Sequence, residues 1–201
     1  MEVALTHEQA DFDALASLYC IHLIDEKIIP VLPNRVNHNV REFLNIYGMD
    51  FPFVEARDLG AESIAGVTLV DTQSLVTLKG INTKTKISVI DHHDAKKELP
   101  PEWNCRFSKV GATTTILVDL MREQNRPLGM IQSTLLLLGI YEDTGSLTYA
   151  STTVRDVQAA AYLLEKGASL RIAADYLNPS LSEDQRKLAD RLLENAKSLS
   201  I

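Results

Sequence analysis

Residues 86–93 read Lys-Ile-Ser-Val-Ile-Asp-His-His, and residues 66–71 read Gly-Val-Thr-Leu-Val-Asp. Each stretch is a short, nearly continuous apolar run that is rich in β-branched residues and leads into an acidic side chain. Such runs are typical of strands that are buried on both faces, because neither face of the strand then needs polar side chains. The two stretches therefore predict interior strands of a parallel sheet.

Patterns on either side of these runs predict alternating strands and helices in the first half of the chain. Residues 3–6 and 28–32 have the composition of strands, and residues 13–25 and 39–47 have apolar side chains at helical spacing. Alternation of this kind is typical of a mostly parallel sheet. We therefore predict an α/β fold with a Rossmann-like, doubly wound and mostly parallel sheet.

Beyond Gly111 the sequence predicts helices only. The predicted helices cover residues 112–124, 130–141, 154–166, 170–176 and 182–199. Ser182 is the expected cap of the last one. We expect one domain over residues 1–201, in which a sheet part, residues 1–110, is followed by a helical C-terminal part, residues 111–201.

The composition is that of a globular protein with an acidic surface. The 201 residues include 20 Lys and Arg against 27 Asp and Glu, a formal net charge of −7, and only two cysteines. This balance argues against a protein that holds nucleic acid through a broad basic surface. No apolar run approaches the roughly 18 residues of a membrane span, and no basic leader opens the chain. We therefore expect a cytoplasmic location and no membrane partner.

Residue types that bind metal ions follow three of the predicted strands. His7 and Asp71 follow two of them, and the Asp-His-His triplet at residues 91–93 follows the third. In open α/β sheets, ligands bind in the crevice outside the carboxyl ends of the strands. The sequence therefore predicts a functional site at this edge of the sheet.

Three more acidic residues join this candidate site. Asp11 and Asp13 come shortly after His7, in a loop that opens a helix, and Asp143 interrupts the apolar end of a later helix. Ordinary structural explanations exist for each group: Asp13 as a helix cap, Asp143 as a turn residue, and the adjacent histidines as surface residues. The concentration of ligand types at one predicted edge favours a metal site.

The chemistry of such a site follows from its ligands. One imidazole with two carboxylates can hold one divalent cation, and a second set of similar composition can hold another if a carboxylate bridges the two. A shell of nitrogen and oxygen without thiolate suits Mn²⁺, Co²⁺ or Mg²⁺ better than structural zinc. Two such ions about 3.5–4 Å apart activate a bridging water and clamp a phosphoryl oxygen. The pattern therefore favours hydrolysis of a phosphate ester or anhydride.

The order of these residues resembles the four motifs of the DHH phosphoesterase superfamily, which includes manganese pyrophosphatases, single-strand exonucleases and oligoribonucleases. The matching residues are His7, Asp11 and Asp13, then Asp71, then Asp91, His92 and His93, and finally Asp143. The resemblance implies two Mn²⁺ ions. One would be bound by His7, Asp11 and Asp71, and the other by Asp13, Asp71, His92 and Asp143.

The same resemblance implies catalytic roles for three residues. Asp71 would bridge the two ions, His93 would contact a phosphate of the substrate, and Asp91 would orient an imidazole through its far nitrogen. Mg²⁺ or Co²⁺ are alternative ions. The implied substrate is a small phosphate compound or a short oligonucleotide.

Two longer stretches, residues 111–115 and 142–156, resemble a more particular group. They are similar to the N-terminal DHH module of long bacterial polypeptides that continue into a poly(A) polymerase or tRNA nucleotidyltransferase. Such polypeptides carry a DHHA1-type domain and paired CBS domains between the two parts. The present sequence shows no DHHA1-type glycine-rich basic motif, so we expect those domains elsewhere in the full polypeptide and weak activity of the isolated chain.

Substrate contacts are also implied by these stretches. Thr113 and Arg155 are predicted to bind substrate together with His93. Alternatively, Thr113 belongs to a threonine-capped helix start, and Arg155 pairs with Asp156 or Glu142. Between residues 79 and 109, seven Lys and Arg outnumber four acidic residues, which we interpret as a solvated surface.

Three hypotheses follow. The leading one is an enzyme, a Mn²⁺-dependent phosphohydrolase that cleaves a phosphodiester or phosphoanhydride in a small nucleotide, oligoribonucleotide or polyphosphate. The second is a regulatory or nucleotide-sensing module of a nucleotidyltransferase-type polypeptide with a role in RNA processing. The third is an acidic interaction domain, which predicts that the ligand-type side chains are scattered in space.

Overall fold

A six-stranded parallel sheet forms the centre of the computed structural model, which describes residues 1–60, 62–96, 98–124, 126–177 and 183–196. The strands are β1 (Glu2–Leu5), β2 (Ile28–Leu32), β3 (Val54–Glu55), β4 (Gly66–Val70), β5 (Lys86–Asp91) and β6 (Asn104–Phe107). Their order is β3-β2-β1-β4-β5-β6, and each neighbouring pair is parallel. This is the strand order of a doubly wound sheet, so the predicted fold class is confirmed.

The order of strands reverses between β1 and β4. The chain moves outward from β1 to β2 and β3, and then returns to pair β4 with the other side of β1. The connections on the two sides of this point leave in opposite directions, which opens a crevice at the carboxyl ends of β1 and β4. The fold therefore places residues that follow these two strands at the position where ligands bind in such sheets.

The helices are α1 (Phe12–Ile24), α2 (His38–Tyr47), α3 (Thr113–Arg122), α4 (Met130–Thr144), α5 (Val154–Glu165), α6 (Leu170–Leu177) and α7 (Glu183–Glu194). The described bounds of α1 to α6 lie within three residues of the predicted ones. The predicted cap Ser182 and the predicted end of the last helix at residue 199 lie outside the described residues. None of the described helices has both the length and the apolar character needed to cross a lipid bilayer.

The strands β3 and β6 were not predicted. β3 has only two residues, and β6 is an edge strand whose side chains alternate between exposed and half-buried. Neither segment has the long apolar run that identifies an interior strand, because an edge strand is covered less completely.

One face of the sheet carries the main core. α1 packs there against α3 and α4, and ten consecutive residues of α1, from residue 12 to residue 21, are buried. Gly139 allows α4 to approach α1 closely: a Cβ atom at this position would lie 2.8 Å from Ala16 Cβ and 3.0 Å from the Phe12 carbonyl oxygen. This close contact brings the end of α4 next to the start of α1.

The other face of the sheet is covered differently. Its apolar cluster combines inward side chains such as Val67 and Val89 with loop residues such as Leu59, Ile64 and Leu78. No residue of α1 to α7 belongs to this cluster in the described part of the chain. The doubly wound strand order therefore occurs here with loops in place of helices on one face.

Candidate metal centre

Three strands bring the predicted ligands to one edge of the sheet. His7 follows β1, Asp71 directly follows β4, and Asp91 is the last residue of β5, ahead of His92 and His93. Because the strands are parallel, their carboxyl ends meet at the same edge. The start of α1 adds Asp11 and Asp13, and the end of α4 adds Asp143, as a consequence of the close packing of these two helices.

The first group of ligand atoms belongs to His7, Asp11 and Asp71, which lie within 4.8 Å of one another. His7 Nδ1 lies 2.8 Å from the Glu8 carbonyl oxygen, which only accepts hydrogen bonds, so Nδ1 carries a proton. Nε2 lies 3.3 Å from Asp71 Oδ2. In the neutral imidazole, Nε2 is therefore the nitrogen that can bind a cation.

The second group consists of Asp13, Asp71, His92 and Asp143, again within 4.8 Å. His92 Nδ1 donates to the Val110 carbonyl oxygen at 3.2 Å, and Nε2 lies 3.1 Å from Asp143 Oδ2 and 3.7 Å from Asp71 Oδ1. We call the six residues of the two groups the ligand cluster. Its compactness contradicts the hypothesis of an interaction domain, which requires scattered side chains.

His92 provides a test of whether a cation fits. Its Nε2 is buried and has no well-oriented hydrogen bond in the described structure, although the carboxylates of Asp143 and Asp71 are near. A buried polar atom without a hydrogen bond is uncommon and costly. A cation between the imidazole and the carboxylates would satisfy this nitrogen, and the nitrogen and oxygen donors suit a divalent ion of the Mn²⁺ type.

Asp71 belongs to both groups and is held in an unusual conformation. Its φ is +55°, in the left-handed region that few residues other than glycine adopt. Its side chain is buried, and Thr113 Oγ1 donates to Oδ1 at 3.1 Å. A strained, buried carboxylate between two histidines is typical of a functional position.

Asp13 is fully buried and connects two helices. Its two oxygens accept hydrogen bonds from the backbone N–H groups of Thr113 (2.7 Å) and Thr114 (2.8 Å), at the start of α3. The alternative that Asp13 caps its own helix is wrong, because Asp11 is the N-cap of α1 and accepts from the Ala14 N–H. The threonine-capped start is also wrong, since Ala112 occupies the N-cap of α3.

Asp91 holds His93 through several hydrogen bonds. It accepts from His93 Nδ1 at 2.8 Å, from the His93 backbone N–H at 3.1 Å and from Gln73 Nε2 at 2.9 Å. Burial alone would raise the pKa of Asp91, but the hydrogen bonds from His93 and Gln73 outweigh it and lower the pKa. Asp91 therefore remains ionised and fixes the orientation of the half-exposed His93 ring.

The histidine pKa values reflect the surrounding negative charge. The hydrogen bond to Asp71 raises the pKa of His7 to about 9, against the effect of burial. Burial lowers the pKa of His92, but Asp143 and Asp71 outweigh it and bring the value to about 9. Burial, with added repulsion from Asp71 and Asp143, raises the pKa of Asp13 well above its ordinary value. In the absence of a cation, protons therefore take up part of the excess negative charge.

A cavity of about 510 Å³ lies over the cluster. Its lining includes His7, Asp11, Asp71, Thr72, Gln73, Asp91, His93, Asp94, Lys96 and Asp143. Its volume is within the range of about 300–1,000 Å³ that is common for small-molecule sites. A larger cavity of about 660 Å³ near the start of β5 contains none of the ligand cluster, so cavity size alone does not locate the site.

The two predicted substrate residues are both engaged within the protein. Thr113 is buried, donates to Asp71 and accepts from the His92 N–H at 3.3 Å. Arg155 pairs with Asp119 at 2.8 Å and donates to Ser108 at 2.6 Å. The alternative pairing of Arg155 with Asp156 or Glu142 is thus not what the described structure shows, and the substrate roles of Thr113 and Arg155 stay predictions.

Sequence reasoning missed three supporting residues. Gln73 bonds to Asp91, Lys96 lines the cavity, and Glu142 accepts a hydrogen bond from the Phe12 N–H at 2.5 Å and thereby ties the end of α4 to the start of α1. Gln73 and Lys96 belong to no recognised motif. Lys96 is one of the seven Lys and Arg between residues 79 and 109 that we interpret, from the sequence alone, as a solvated surface. The position of Glu142 beside Asp143 was the only available indication for that residue.

Comparison with known proteins finds a family model and several relatives that match this chain. Residues 3–140 match the model of the DHH family, N-terminal domain. The whole chain is 32% identical, over an alignment of 208 positions, to an A-adding tRNA nucleotidyltransferase of Geobacter sulfurreducens, and it spans 24% of that protein's length. The chain therefore corresponds to about a quarter of this relative.

Two other comparisons cover most of the chain. A manganese-dependent inorganic pyrophosphatase of Bacillus subtilis is 28% identical over 165 residues, which are 79% of this chain and 53% of the relative. The crystal structure of an exopolyphosphatase-related protein from Bacteroides fragilis superposes with a TM-score of 0.74 at 18% identity, covering 98% of this chain and 62% of that one. At that identity the superposition shows a shared fold.

Proposed function

The chain belongs to the DHH family, and from that premise we propose that it is a phosphohydrolase whose site holds two divalent cations. The observation that carries the proposal is the position of Asp71. Its carboxylate belongs to the group with His7 and Asp11 and to the group with Asp13, His92 and Asp143, and it also lies within reach of a third group formed with Asp91, His92 and His93. A carboxylate shared in this way is what a pair of bridged cations requires.

The proposed ligands are those of the two groups. His7, Asp11 and Asp71 would hold one ion, and Asp13, Asp71, His92 and Asp143 the other. Mn²⁺ is the first candidate because the ligands are imidazole and carboxylate and because the Bacillus subtilis relative is named as manganese-dependent. Mg²⁺ and Co²⁺ are the alternative ions.

The residues of this chain supply what such a reaction needs. When bound, two cations of this kind polarise a bridging water and offset charge on a phosphoryl oxygen. Asp71 would hold them together, and Thr113 fixes the Asp71 carboxylate. His93, kept in place by Asp91, would contact a phosphate of the substrate, and Arg155 is a further proposed phosphate contact.

The proposed substrate is a small phosphate compound. The cavity is large enough for a nucleotide or a short polyphosphate, and its carboxylates would repel any anion that cations do not shield. The pyrophosphatase among the relatives favours a phosphoanhydride. The family resemblance extends the proposal to short oligoribonucleotides and other phosphodiesters.

The proposal is tested by calorimetric titration of Mn²⁺ into metal-free protein, followed by a hydrolysis panel. The panel contains pyrophosphate, tripolyphosphate, 3′-phosphoadenosine phosphate and a short oligoribonucleotide. We expect two bound ions per chain and release of phosphate or nucleotide from at least one compound. Asp71→Asn should abolish both results, whereas Asp50→Asn, an exposed aspartate outside the site, should change neither. A stoichiometry of zero would refute the proposal.

The match to the A-adding tRNA nucleotidyltransferase favours a second candidate function. In this alternative, the site binds a nucleotide and regulates a nucleotidyltransferase elsewhere in a longer polypeptide, together with DHHA1-type and CBS domains. Tight Mn²⁺-dependent nucleotide binding without hydrolysis, in the full polypeptide as well as in this chain, would support it. Turnover of any compound in the panel would favour the enzyme.

A further inference from the structure

The loop that follows β5 is wrapped around the side chain of Gln73. The Gln73 amide donates to Asp91 Oδ2 at 2.9 Å and to the Asp94 carbonyl oxygen at 3.1 Å, and its oxygen accepts from the Lys96 N–H at 2.8 Å. Gln73 is only 7% exposed. One buried amide therefore fixes the carboxylate that orients His93 and, at the same time, the backbone of Lys96.

Lys96 is placed at the open side of the same cavity. Its Nζ donates to Ser74 Oγ at 2.8 Å, and its side chain is exposed, whereas Asp71 and Asp91 at the base of the cavity are buried. Lys96 is the only lysine or arginine among the described residues that line this cavity. None of the described carboxylates lies within ion-pair distance of its Nζ, although five aspartates line the cavity with it.

A lysine held in this way has a charge that the protein does not neutralise. An ammonium group with rotatable donors is suited to a phosphate oxygen as a point charge. Lys96 and four residues of the ligand cluster line the same cavity, so a phosphate held at the cluster would leave the rest of the substrate in a cavity that also contains the Lys96 side chain. The position therefore favours a second negative group on the substrate.

We infer that Lys96, positioned by Gln73 and Ser74, binds the phosphate adjacent to the one that is attacked, so that the site selects substrates with at least two linked phosphates. This inference rests on the proposed function and names its substrate class. Gln73 acts as a positioning residue, because it reaches the substrate only through Lys96 and through the Asp91–His93 pair.

The test uses imidodiphosphate, a pyrophosphate analogue whose bridging nitrogen resists hydrolysis, and orthophosphate as the single-phosphate probe. Each is titrated by calorimetry into the Mn²⁺-loaded chain and into Lys96→Gln. Because one charge-assisted hydrogen bond is lost, we expect about tenfold weaker imidodiphosphate binding, with orthophosphate and Mn²⁺ affinities changed less than about twofold. Lys84→Gln, at an exposed lysine of the other cavity, is the matched control and should match the wild type.

A double-mutant cycle tests whether Gln73 acts by positioning Lys96 or by supporting the whole site. Gln73→Leu should weaken imidodiphosphate binding at least as much as Lys96→Gln does, because it also releases the Asp91–His93 pair. Adding Lys96→Gln to Gln73→Leu should weaken binding little further, since both changes remove the Lys96 contact. Lys96→Arg should restore a large part of the affinity. Thermal unfolding of each variant checks that the fold is retained.

Each result has a definite consequence. Equal imidodiphosphate binding by Lys96→Gln and wild type would overturn the inference while leaving the proposed hydrolase intact. A wild-type chain that binds Mn²⁺ but no imidodiphosphate would overturn it as well. Absence of Mn²⁺ binding, measured separately, would refute the proposed function and the inference together. Binding of both probes without hydrolysis, in this chain and in the full polypeptide, would refute the hydrolase and leave only the preference for linked phosphates.

Discussion

Asp156 and Asp71 are both buried aspartates, yet their surroundings are opposite. Asp156 accepts hydrogen bonds from the Gly111 N–H, the Thr115 hydroxyl, and both the N–H and the hydroxyl of Thr153, at 2.6–3.0 Å. Burial alone would raise its pKa, but these donors outweigh burial and lower the pKa. Its negative charge is fully satisfied by the protein.

Asp71 has few such donors. Thr113 donates to one of its oxygens, and otherwise it faces three histidines and the carboxylates of Asp11, Asp13, Asp91 and Asp143. Carboxylates that face one another in a buried site require a proton or a cation between them. The comparison teaches that a buried carboxylate indicates a metal site when its neighbours are acceptors, and a structural role when its neighbours are donors.

The largest expected effect is on Mn²⁺ affinity and comes from Asp71, the aspartate whose neighbours are mostly acceptors. Asp71→Asn keeps the shape of the side chain but removes the charge that two groups share. Changes to residues that only support metal ligands cost about 10–100-fold in affinity, so loss of a shared ligand should weaken Mn²⁺ binding by more than about a hundredfold. Calorimetry measures it, and retention of two tight sites would contradict the assignment.

At Asp156, whose neighbours are donors, a substitution should instead lower the free energy of unfolding. Asp156→Ala leaves the buried N–H groups of Gly111 and Thr153 without acceptors, which should lower the free energy of unfolding by about 3 kcal/mol. Urea unfolding measures the loss. Mn²⁺ stoichiometry in the folded variant should remain that of the wild type, and a variant that is stable but unable to bind Mn²⁺ would reverse the comparison.

Protonation of His7 and His92 makes the stability of the metal-free protein depend on pH. In metal-free protein their pKa values of about 9 lie above the ordinary value of 6.5, so the folded state binds more protons than the unfolded state between these values. The stability due to His7 and His92 is therefore complete below pH 6.5 and is lost as the pH rises through about 9. Thermal unfolding with a chelator at both ends of this range measures it.

Mn²⁺ affinity should change with pH in the opposite direction to metal-free stability, because cation binding needs the neutral imidazoles. Apparent Mn²⁺ affinity should rise from pH 6.5 to pH 8, with proton release seen as a dependence of the calorimetric heat on the buffer. A metal-free stability that increases over the same range, or an affinity that does not change, would show that His7 and His92 are not protonated in the folded protein.

A matched pair of threonines gives the smallest expected effects. Thr113→Val removes the donor to Asp71 and the acceptor of the His92 N–H, so it should weaken Mn²⁺ binding by about tenfold and also cost about 1 kcal/mol of stability. Thr115→Val removes a donor to Asp156 and should cost about 1 kcal/mol of stability, with unchanged Mn²⁺ affinity. If the two variants behave alike in both measurements, the distinction between the two aspartates is wrong.

The sequence was sufficient for the interior of the fold. β2 and β4 have the predicted bounds, and α1 to α6 differ by at most three residues, because buried strands and amphipathic helices impose strong apolar periods. It was insufficient where the chain has no such period. The two-residue strand β3 and the half-exposed edge strand β6 carry too few apolar residues to be distinguished from loops.

The same limit applies to the site. Each ligand-type residue at a strand end was predictable, because parallel strands end at one edge of the sheet. The distinction between Asp11 as the cap of α1 and Asp13 as the acceptor for α3 was not, because it depends on where α3 lies relative to α1. The alternative that Asp13 caps α1 was therefore wrong, because Asp13 lies in the first turn of the helix and Asp11 is its N-cap.

What the sequence determined by itself is the set of residue types and the edge on which they meet, because residue type and strand direction are local properties. Only the tertiary structure decided how the charges are balanced. Asp156 is satisfied by donors up to 45 residues away along the chain. Gln73 bonds to Asp91 and to Lys96, which lie 18 and 23 residues further along the chain. Such contacts depend on the packing of separate elements, which no local pattern encodes.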